Sequence, residues 1–178
     1  MPSHWGDKYV FHDVTEAGLG TIFNAGALYV YSGEVSSGRG HDQVTITAGQ
    51  GAEIVGAALI VIRPRTRVLI VEEQGRVPEE VVGLVPRDLA IHHKPWGYEV
   101  EVMTNARRIQ LKRLHIREGQ RTSEQYHEMK DEVMVYMDGV GKHVVPMEVH
   151  RVEGPADYFE ASTYHPEDVV RTADDYGR

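Results

Sequence analysis

The sequence predicts an all-β protein, built as a sandwich or a barrel of short strands. Short apolar or alternating runs recur along the chain and are separated by glycine, proline and charged turns, a pattern typical of these folds. Long helical periodicity is missing. The predicted strands cover residues 27–31, 43–48, 57–62, 67–71, 97–103, 108–116, 132–137, 143–146 and 158–161.

Two kinds of strand can be distinguished by their apolar pattern. In the run 43–47 the apolar Val44 and Ile46 are two positions apart, so they share one face of a strand. The runs 59–62 and 68–71 are apolar on both faces, and we expect them to be covered on both sides.

Two short helices are also predicted. Residues 79–82 follow a proline, and residues 166–174 begin with Pro166, which suits the first helical position. The second of these segments would be a short C-terminal helix.

Composition limits the classes of function. The 178 residues suffice for one well-buried core or two very small ones. A formal net charge of −8 argues against a nucleic-acid partner, although Arg107, Arg108, Lys112 and Arg113 form a local basic cluster. The absence of cysteine excludes disulfides and thiolate metal sites. The longest apolar stretch, 56–62, is too short to span a bilayer, and the start lacks a secretory pattern, so we expect a cytoplasmic protein without a membrane partner.

The chain has a soft internal boundary near residues 85–95. Residues 1–90 have the lower charge density, whereas residues 91–178 carry nearly all the candidate metal ligands. The first half is either a separate domain or a β-rich segment that completes or extends a single barrel, and we favour the second interpretation.

A cluster of candidate metal ligands lies between residues 125 and 150. Gln125 and His127 are two positions apart, so on a strand their side chains point the same way. Glu132 can join them if the polar segment 128–131 turns, and His150 lies on a predicted returning strand. Two imidazoles and one carboxylate are a suitable first shell for a divalent transition metal, without distinguishing zinc, manganese, iron and nickel.

The spacing of these residues resembles the first motif of the cupin superfamily. The run reads Gly119, five residues, Gln125, one residue, His127, four residues, Glu132, six residues and Gly139. Gln125 stands where most cupins have a first histidine. Further segments resemble the type II mannose-6-phosphate isomerase cupins, which occur alone or as the C-terminal domain of mannose-1-phosphate guanylyltransferases. These segments are Lys94-Pro-Trp-Gly-Tyr-Glu99, the pair His150-Arg151, and the ending from Glu167 to Arg178.

The resemblance covers roughly residues 92–178 and implies both a fold and a site. The implied fold is a cupin-type jelly-roll β-barrel with an N-terminal β-rich extension. The implied metal ligands are Gln125, His127, Glu132 and His150, and the implied substrate is a phosphorylated sugar. Lys112 matches a family lysine that could reach a substrate anion, and Arg171 matches a family arginine that could clamp a phosphate.

The sequence departs from the cupin pattern between its two motifs. Residues 145–151 align with the family's Pro-Pro-Gly-x-x-His-Arg, with Met147 in place of the glycine, so the usual inter-motif hairpin is absent. Because losing two strands would expose sheet edges, we expect N-terminal strands to fill the gap, within the subunit or exchanged with a partner. The segment 44–51 reads like the missing strand and turn, and an unpaired edge beside 137–143 would reject this hypothesis.

Several single residues keep two interpretations. Gln125 either binds the metal or hydrogen-bonds a ligand, Lys112 either contacts substrate or lies on a solvated face, and Arg171 either clamps phosphate or pairs with Asp174 or Asp175. The remaining residues are given one role each. We assign His92, His93, His115 and His143 to the surface or to supporting contacts, and Asp168 and Asp174 to helix ends. Trp96 should pack at the barrel mouth, where Gly97 permits a close approach of the backbone.

The favoured function is a metal-dependent aldose–ketose isomerase that works through a metal-stabilised enediolate, with Lys112, Glu99 or His143 as the base. One alternative is a non-haem metal dioxygenase, which the two-histidine, one-carboxylate set also suits. The other is a non-enzymatic module that binds a sugar or a sugar nucleotide. We expect a homodimer, since exposed jelly-roll edges commonly pair.

Overall fold

The computed structural model describes residues 2–5, 9–38, 40–73, 81–104 and 109–177. Within these ranges the chain forms sixteen strands and one short 3-10 turn, Gly40–Asp42. The strands are β1 (Pro2–Trp5), β2 (Tyr9–Val14), β3 (Gly18–Ser32), β4 (Glu34–Ser37), β5 (Val44–Thr47), β6 (Gly51–Ile62), β7 (Arg67–Glu73), β8 (Val81–Arg87), β9 (Ala90–Lys94), β10 (Gly97–Thr104), β11 (Gln110–Ile116), β12 (Glu124–Tyr126), β13 (Glu132–Tyr136), β14 (Gly141–Val144), β15 (Ala156–Ser162) and β16 (Val170–Ala173). Each of the nine predicted strands overlaps one of these, so the all-β prediction is confirmed.

The chain divides into two compact units, residues 1–89 and 90–178. The first unit is an antiparallel sheet in the order β1-β2-β7-β3-β6-β4-β5, with β8 also paired with β6. Its core is aliphatic and includes Leu28, Ile54 and Ile70. The run 68–71 is fully buried as predicted, whereas Leu59 in the run 59–62 is 41% exposed.

The second unit contains a six-stranded antiparallel sheet in the order β14-β13-β15-β11-β10-β9 and the small sheet β12-β16. Trp96 packs in its core with Ile116 and Tyr158. Gly97 lies so close to β11 that a Cβ atom there would be 1.9 Å from the carbonyl oxygen of His115. The predicted close approach at Gly97 is therefore confirmed.

The two predicted helices are wrong in the part of the chain that the structure describes. Of the segment 79–82, the last two residues begin β8, and residues 79–80 lie outside the described ranges. The segment 166–174 makes a turn at Pro166 and then forms β16, which pairs with β12. Its β-branched residues Val169, Val170 and Thr172 favour a strand. The Asp168 side chain accepts hydrogen bonds from the backbone amides of residues 128–130.

In the described residues, the segment proposed to fill the inter-motif gap pairs within the first sheet. The strand of the segment 44–51, β5, pairs with β4 in the first sheet. Within the described ranges β14 pairs only with β13 and forms the edge of its sheet. Exchange of a strand with a partner stays a prediction.

The described residues include no helix that is long and apolar enough to cross a membrane.

Candidate metal centre

The structure brings His127, Glu132 and His150 together inside the second unit. His127 Nε2 lies 3.2 Å from Glu132 Oε1, and His150 Nε2 lies 3.3 Å from Glu132 Oε2. One donor atom from each residue lies within 4.8 Å of the others, and all three side chains are buried. The turn predicted at residues 128–131 is what allows Glu132 to face the same interior as His127.

Backbone hydrogen bonds hold the segments of the three residues side by side. The amide of Gln125 donates to the carbonyl of His150 at 3.0 Å, and the amide of His150 donates back at 2.8 Å. The amide of Met147 donates to the carbonyl of His127 at 2.7 Å. Met147 has a φ of 70°, a left-handed conformation that glycine adopts without strain, which agrees with its alignment on a family glycine.

Both imidazole rings are oriented by main-chain carbonyl groups. His127 Nδ1 donates to the carbonyl oxygen of Asp168, and His150 Nδ1 donates to that of Glu148 at 3.0 Å. Because a carbonyl oxygen only accepts, the proton of each neutral ring lies on Nδ1 and the Nε2 lone pair faces Glu132. Such orientation of the ligating nitrogen is the usual arrangement at protein metal sites.

The geometry of the three residues fits a divalent cation. Ligands about 2.1 Å from one ion and about 90–110° apart are separated by about 3.0–3.4 Å. Each imidazole nitrogen lies in this range from one Glu132 oxygen, His127 Nε2 from Oε1 and His150 Nε2 from Oε2. His127 Nε2 is buried and has no hydrogen-bond partner, despite its short distance to Glu132. A bound cation would satisfy this atom.

Charge is concentrated around Glu132. Burial raises the pKa of Glu132, but His127, His150 and the ammonium group of Lys130 lower it well below its ordinary value. Lys130 is only 5% exposed, and its Nζ lies 3.2 Å from Glu132 Oε1. Burial lowers the pKa of Lys130, yet Glu160 and Glu132 outweigh that effect and raise it. The carboxylate of Glu132 is therefore ionised and available to a cation.

Glu160 is a second, partly buried carboxyl group in this unit. Burial and the nearby Glu132 raise its pKa to about 7. It lies on β15 directly opposite Lys112 of β11, so both side chains emerge on one face of the sheet.

A cavity of about 300 Å³ opens beside the candidate metal ligands. Gln125, Glu132 and His150 line it, and its walls also carry both signs of charge. The basic residues are Lys94, Lys112, Lys130 and Arg171, and the other acidic residues are Glu99 and Glu160.

The structure places each of the other predicted site residues in this cavity. Gln125 Oε1 accepts a hydrogen bond from the Ser123 hydroxyl at 2.8 Å, and its role as a ligand stays a prediction. Lys112 Nζ lies 3.7 Å from Glu99 Oε1. Arg171 is the strand partner of Gln125 and forms no ion pair with a described carboxylate.

The remaining histidines do not line the cavity. His143 pairs with Asp131 at 2.7 Å, and His115 pairs with Asp157 at 3.1 Å. His92 and His93 are exposed on β9. The prediction that these four lie at the surface or in supporting contacts is confirmed.

Three functional candidates were missed by sequence reasoning. Lys130 lies in the segment predicted only as a polar turn, and Asp168 was assigned to a helix end. Glu160 is a lone carboxyl group in the otherwise apolar run 158–161, and this signal could have indicated an inward-facing acid.

No protein-family model and no curated protein matches the sequence. Among solved structures, an IolB-like protein from Salmonella typhimurium LT2 has a TM-score of 0.64 at 9% identity, covering 92% of this chain and 86% of its own. Quercetin 2,3-dioxygenase from Acinetobacter baumannii has a TM-score of 0.59 at 10% identity, covering 92% and 79%. Oxalate decarboxylase from Lactobacillus farciminis, in a formate complex, has a TM-score of 0.56 at 10% identity, covering 95% and 85%.

These similar structures are cupin-fold proteins, and the likeness shows the fold of this chain. The protein is an all-β cupin-type jelly roll, and its buried His–Glu–His group is suited to a metal ion.

Proposed function

We propose that the protein is a metal-dependent aldose–ketose isomerase that acts on a phosphorylated sugar. The observation that carries the proposal is the buried set of His127, Glu132 and His150, which opens on a cavity rich in basic side chains. The sequence resemblance to mannose-6-phosphate isomerases supports the choice of reaction, since the fold alone does not determine it.

His127, Glu132 and His150 would hold the cation, with Gln125 beside them in the cavity wall. A divalent cation bound there supplies a Lewis acid, which stabilises the negative charge that develops on the substrate oxygens.

Arg171 is the best candidate for binding the phosphate group. Lys94 and Lys112 both lie near Glu99, at 3.1 and 3.7 Å, so part of their charge is already balanced. Arg171 has no described carboxylate partner and lines the same cavity. A guanidinium group can give a phosphate two parallel charge-assisted hydrogen bonds, which would fix the orientation of the substrate.

Glu160 is the best candidate for the proton-transfer group. In the isomerisation the base takes the proton from C2 and later returns it to C1. The hydroxyl proton moves from the C2 oxygen to the C1 oxygen, so the aldose becomes a ketose with no net gain or loss of atoms. Burial raises the pKa of Glu160 to about 7, close to the value at which a carboxylate both accepts and returns a proton efficiently. Of the bases expected from sequence, Lys112 and Glu99 interact with each other, and His143 lies outside the cavity wall.

The test is to incubate the metal-loaded protein with mannose 6-phosphate and follow fructose 6-phosphate by NMR. We expect turnover by the wild type. In Glu160→Gln the rate of turnover should fall by at least about 100-fold, the usual contribution of general acid–base catalysis. Glu118→Gln, which changes an exposed carboxylate, serves as the matched control. Inactivity of the wild type on several aldose phosphates would reject the proposed reaction and favour a binding module.

One feature favours a second candidate function, a non-haem iron dioxygenase. Two histidines and one carboxylate leave coordination positions open, as in iron-dependent oxygenases, and one structurally similar protein is named as a quercetin dioxygenase. Oxygen consumption by the iron-loaded protein with a small organic substrate would support this alternative.

A further inference from the structure

Asp168 forms four hydrogen bonds with the segment that joins two of the metal ligands. Its carboxylate accepts hydrogen bonds from three successive backbone amides: Glu128 at 2.8 Å, Met129 at 2.8 Å and Lys130 at 2.7 Å. Its own carbonyl oxygen accepts the Nδ1 proton of His127. One residue of the C-terminal segment therefore contacts four consecutive residues, 127 to 130.

These contacts restrain the ligand set. The segment 128–131 lies between β12 and β13 and sets the separation between His127 and Glu132. Its last residue, Asp131, is held by two hydrogen bonds to Thr163. The carboxylate of Asp168 satisfies three amides of the segment, and the adjacent carbonyl keeps the His127 proton on Nδ1. Without these two contacts, the His127 ring could rotate, or its proton could move to Nε2. A proton on Nε2 would block metal binding.

From this geometry we infer that Asp168 is a positioning residue for the metal site. It acts through the tautomer and orientation of His127 and through the backbone of residues 128–130, and it sets the affinity for the metal without touching it. This inference rests on the proposed metal site, which the experiment below tests separately.

The C-terminal segment that contains Asp168 also forms part of the cavity wall. Pro166, Val169 and Arg171 flank Asp168 in sequence and line the cavity. Because the coupling between two binding events is reciprocal, a metal that favours the positioned His127 also favours the docked C-terminal segment. Added metal should therefore slow hydrogen exchange at the amides of residues 167–171.

The test compares Asp168→Ala and Asp168→Asn with the wild type, by titrating metal-free protein with Zn²⁺ against a competing chelator. Asp168→Ala removes the carboxylate that holds residues 128–130 but keeps the backbone carbonyl that accepts from His127 Nδ1. Because the segment next to His127 is then less restrained, we expect metal binding to weaken by about 10-fold, at the lower end of the range for lost outer contacts of a metal ligand. Asp168→Asn retains one acceptor oxygen, so its affinity for the metal should lie between those of Asp168→Ala and the wild type. Glu167→Gln is the matched control, since Glu167 is adjacent, acidic and exposed, and its affinity should equal that of the wild type.

A second readout separates positioning from a general structural role. In metal-free wild-type protein with neutral imidazoles, ring nitrogen-15 shifts should report the Nδ1–H tautomer for His127 and His150. In the Asp168 variants the His127 shifts should move, whereas those of His150, whose Nδ1 donates to Glu148, should not.

The outcomes distinguish the inference from the function it rests on. Wild-type affinity in Asp168→Ala, or an Nε2–H tautomer for His127 in the wild type, would overturn the role of Asp168 while leaving the metal site intact. A wild-type protein that binds no divalent metal would reject both. The wild-type tautomer needs no variant, so it decides the matter even if both variants fail to fold.

Discussion

At the scale of single residues, Glu160 and Lys130 give this cavity its electrostatic character. Lys130 neutralises part of the acidic charge, and Glu160 adds a carboxyl group that burial keeps partly protonated near neutral pH. Neither residue belongs to the motif that identifies the ligands. Glu160 reaches the cavity from β15, which lies between β13 and β11, and Lys130 reaches it from the segment just before β13. Spacing along the sequence does not reveal this neighbourhood.

The raised pKa of Glu160 predicts a pH-dependent stability of the metal-free protein. The folded state holds the Glu160 proton more tightly than the unfolded state, so stability falls as pH rises from about 4.5 to about 7. Glu160→Gln removes the titrating carboxyl group and therefore this loss of stability. We expect the variant to match the wild type near pH 4.5 and to be more stable above pH 7, by at most about 3 kcal/mol.

Urea denaturation across this pH range measures the difference, with Glu118→Gln as the control for an exposed carboxylate. If the difference in free energy of unfolding between Glu160→Gln and the wild type were the same at every pH, the raised pKa of Glu160 would be contradicted.

At the scale of the elements, nine of the sixteen described strands were predicted and the C-terminal segment was not. Period-two alternation and glycine or proline boundaries located nine strands, because each of these signals is local. Residues 166–174 also carry a local signal, since Pro166 suits the first position of a helix. Their structure is instead set by pairing with β12 and by the bonds of Asp168 to residues 128–130, contacts about forty positions away in sequence.

The pairing of β10 with β11 predicts a steric requirement at Gly97. An added Cβ atom would meet the carbonyl oxygen of His115, a backbone atom that cannot move aside. We expect Gly97→Ala to lower the free energy of unfolding by about 1–3 kcal/mol, the usual cost of overpacking. Gly18→Ala, where the structure offers open space, should change stability much less. Equal effects of the two substitutions in chemical denaturation would show that the close approach does not matter.

At the scale of the whole molecule, the sequence predicted the fold class, whereas strand pairing could not be read from it. The cupin-like spacing of Gly119, His127, Glu132 and Gly139 indicates both the turn and the candidate ligands, whose metal binding stays a prediction. In the described part of the chain the segment 44–51 contains β5, whose partner is β4 of the first sheet. Apolar alternation identifies a strand without identifying the strand it pairs with.

The central claim is that His127, Glu132 and His150 together hold one divalent cation. Elemental analysis of protein purified without a metal-affinity tag and dialysed against mixed divalent ions tests it most directly. We predict about one ion per chain in the wild type and in His143→Ala, whose histidine lies outside the cavity wall, and almost none in His150→Ala. A wild-type protein that retains no metal, or a His150→Ala variant that retains as much as the wild type, would contradict the account.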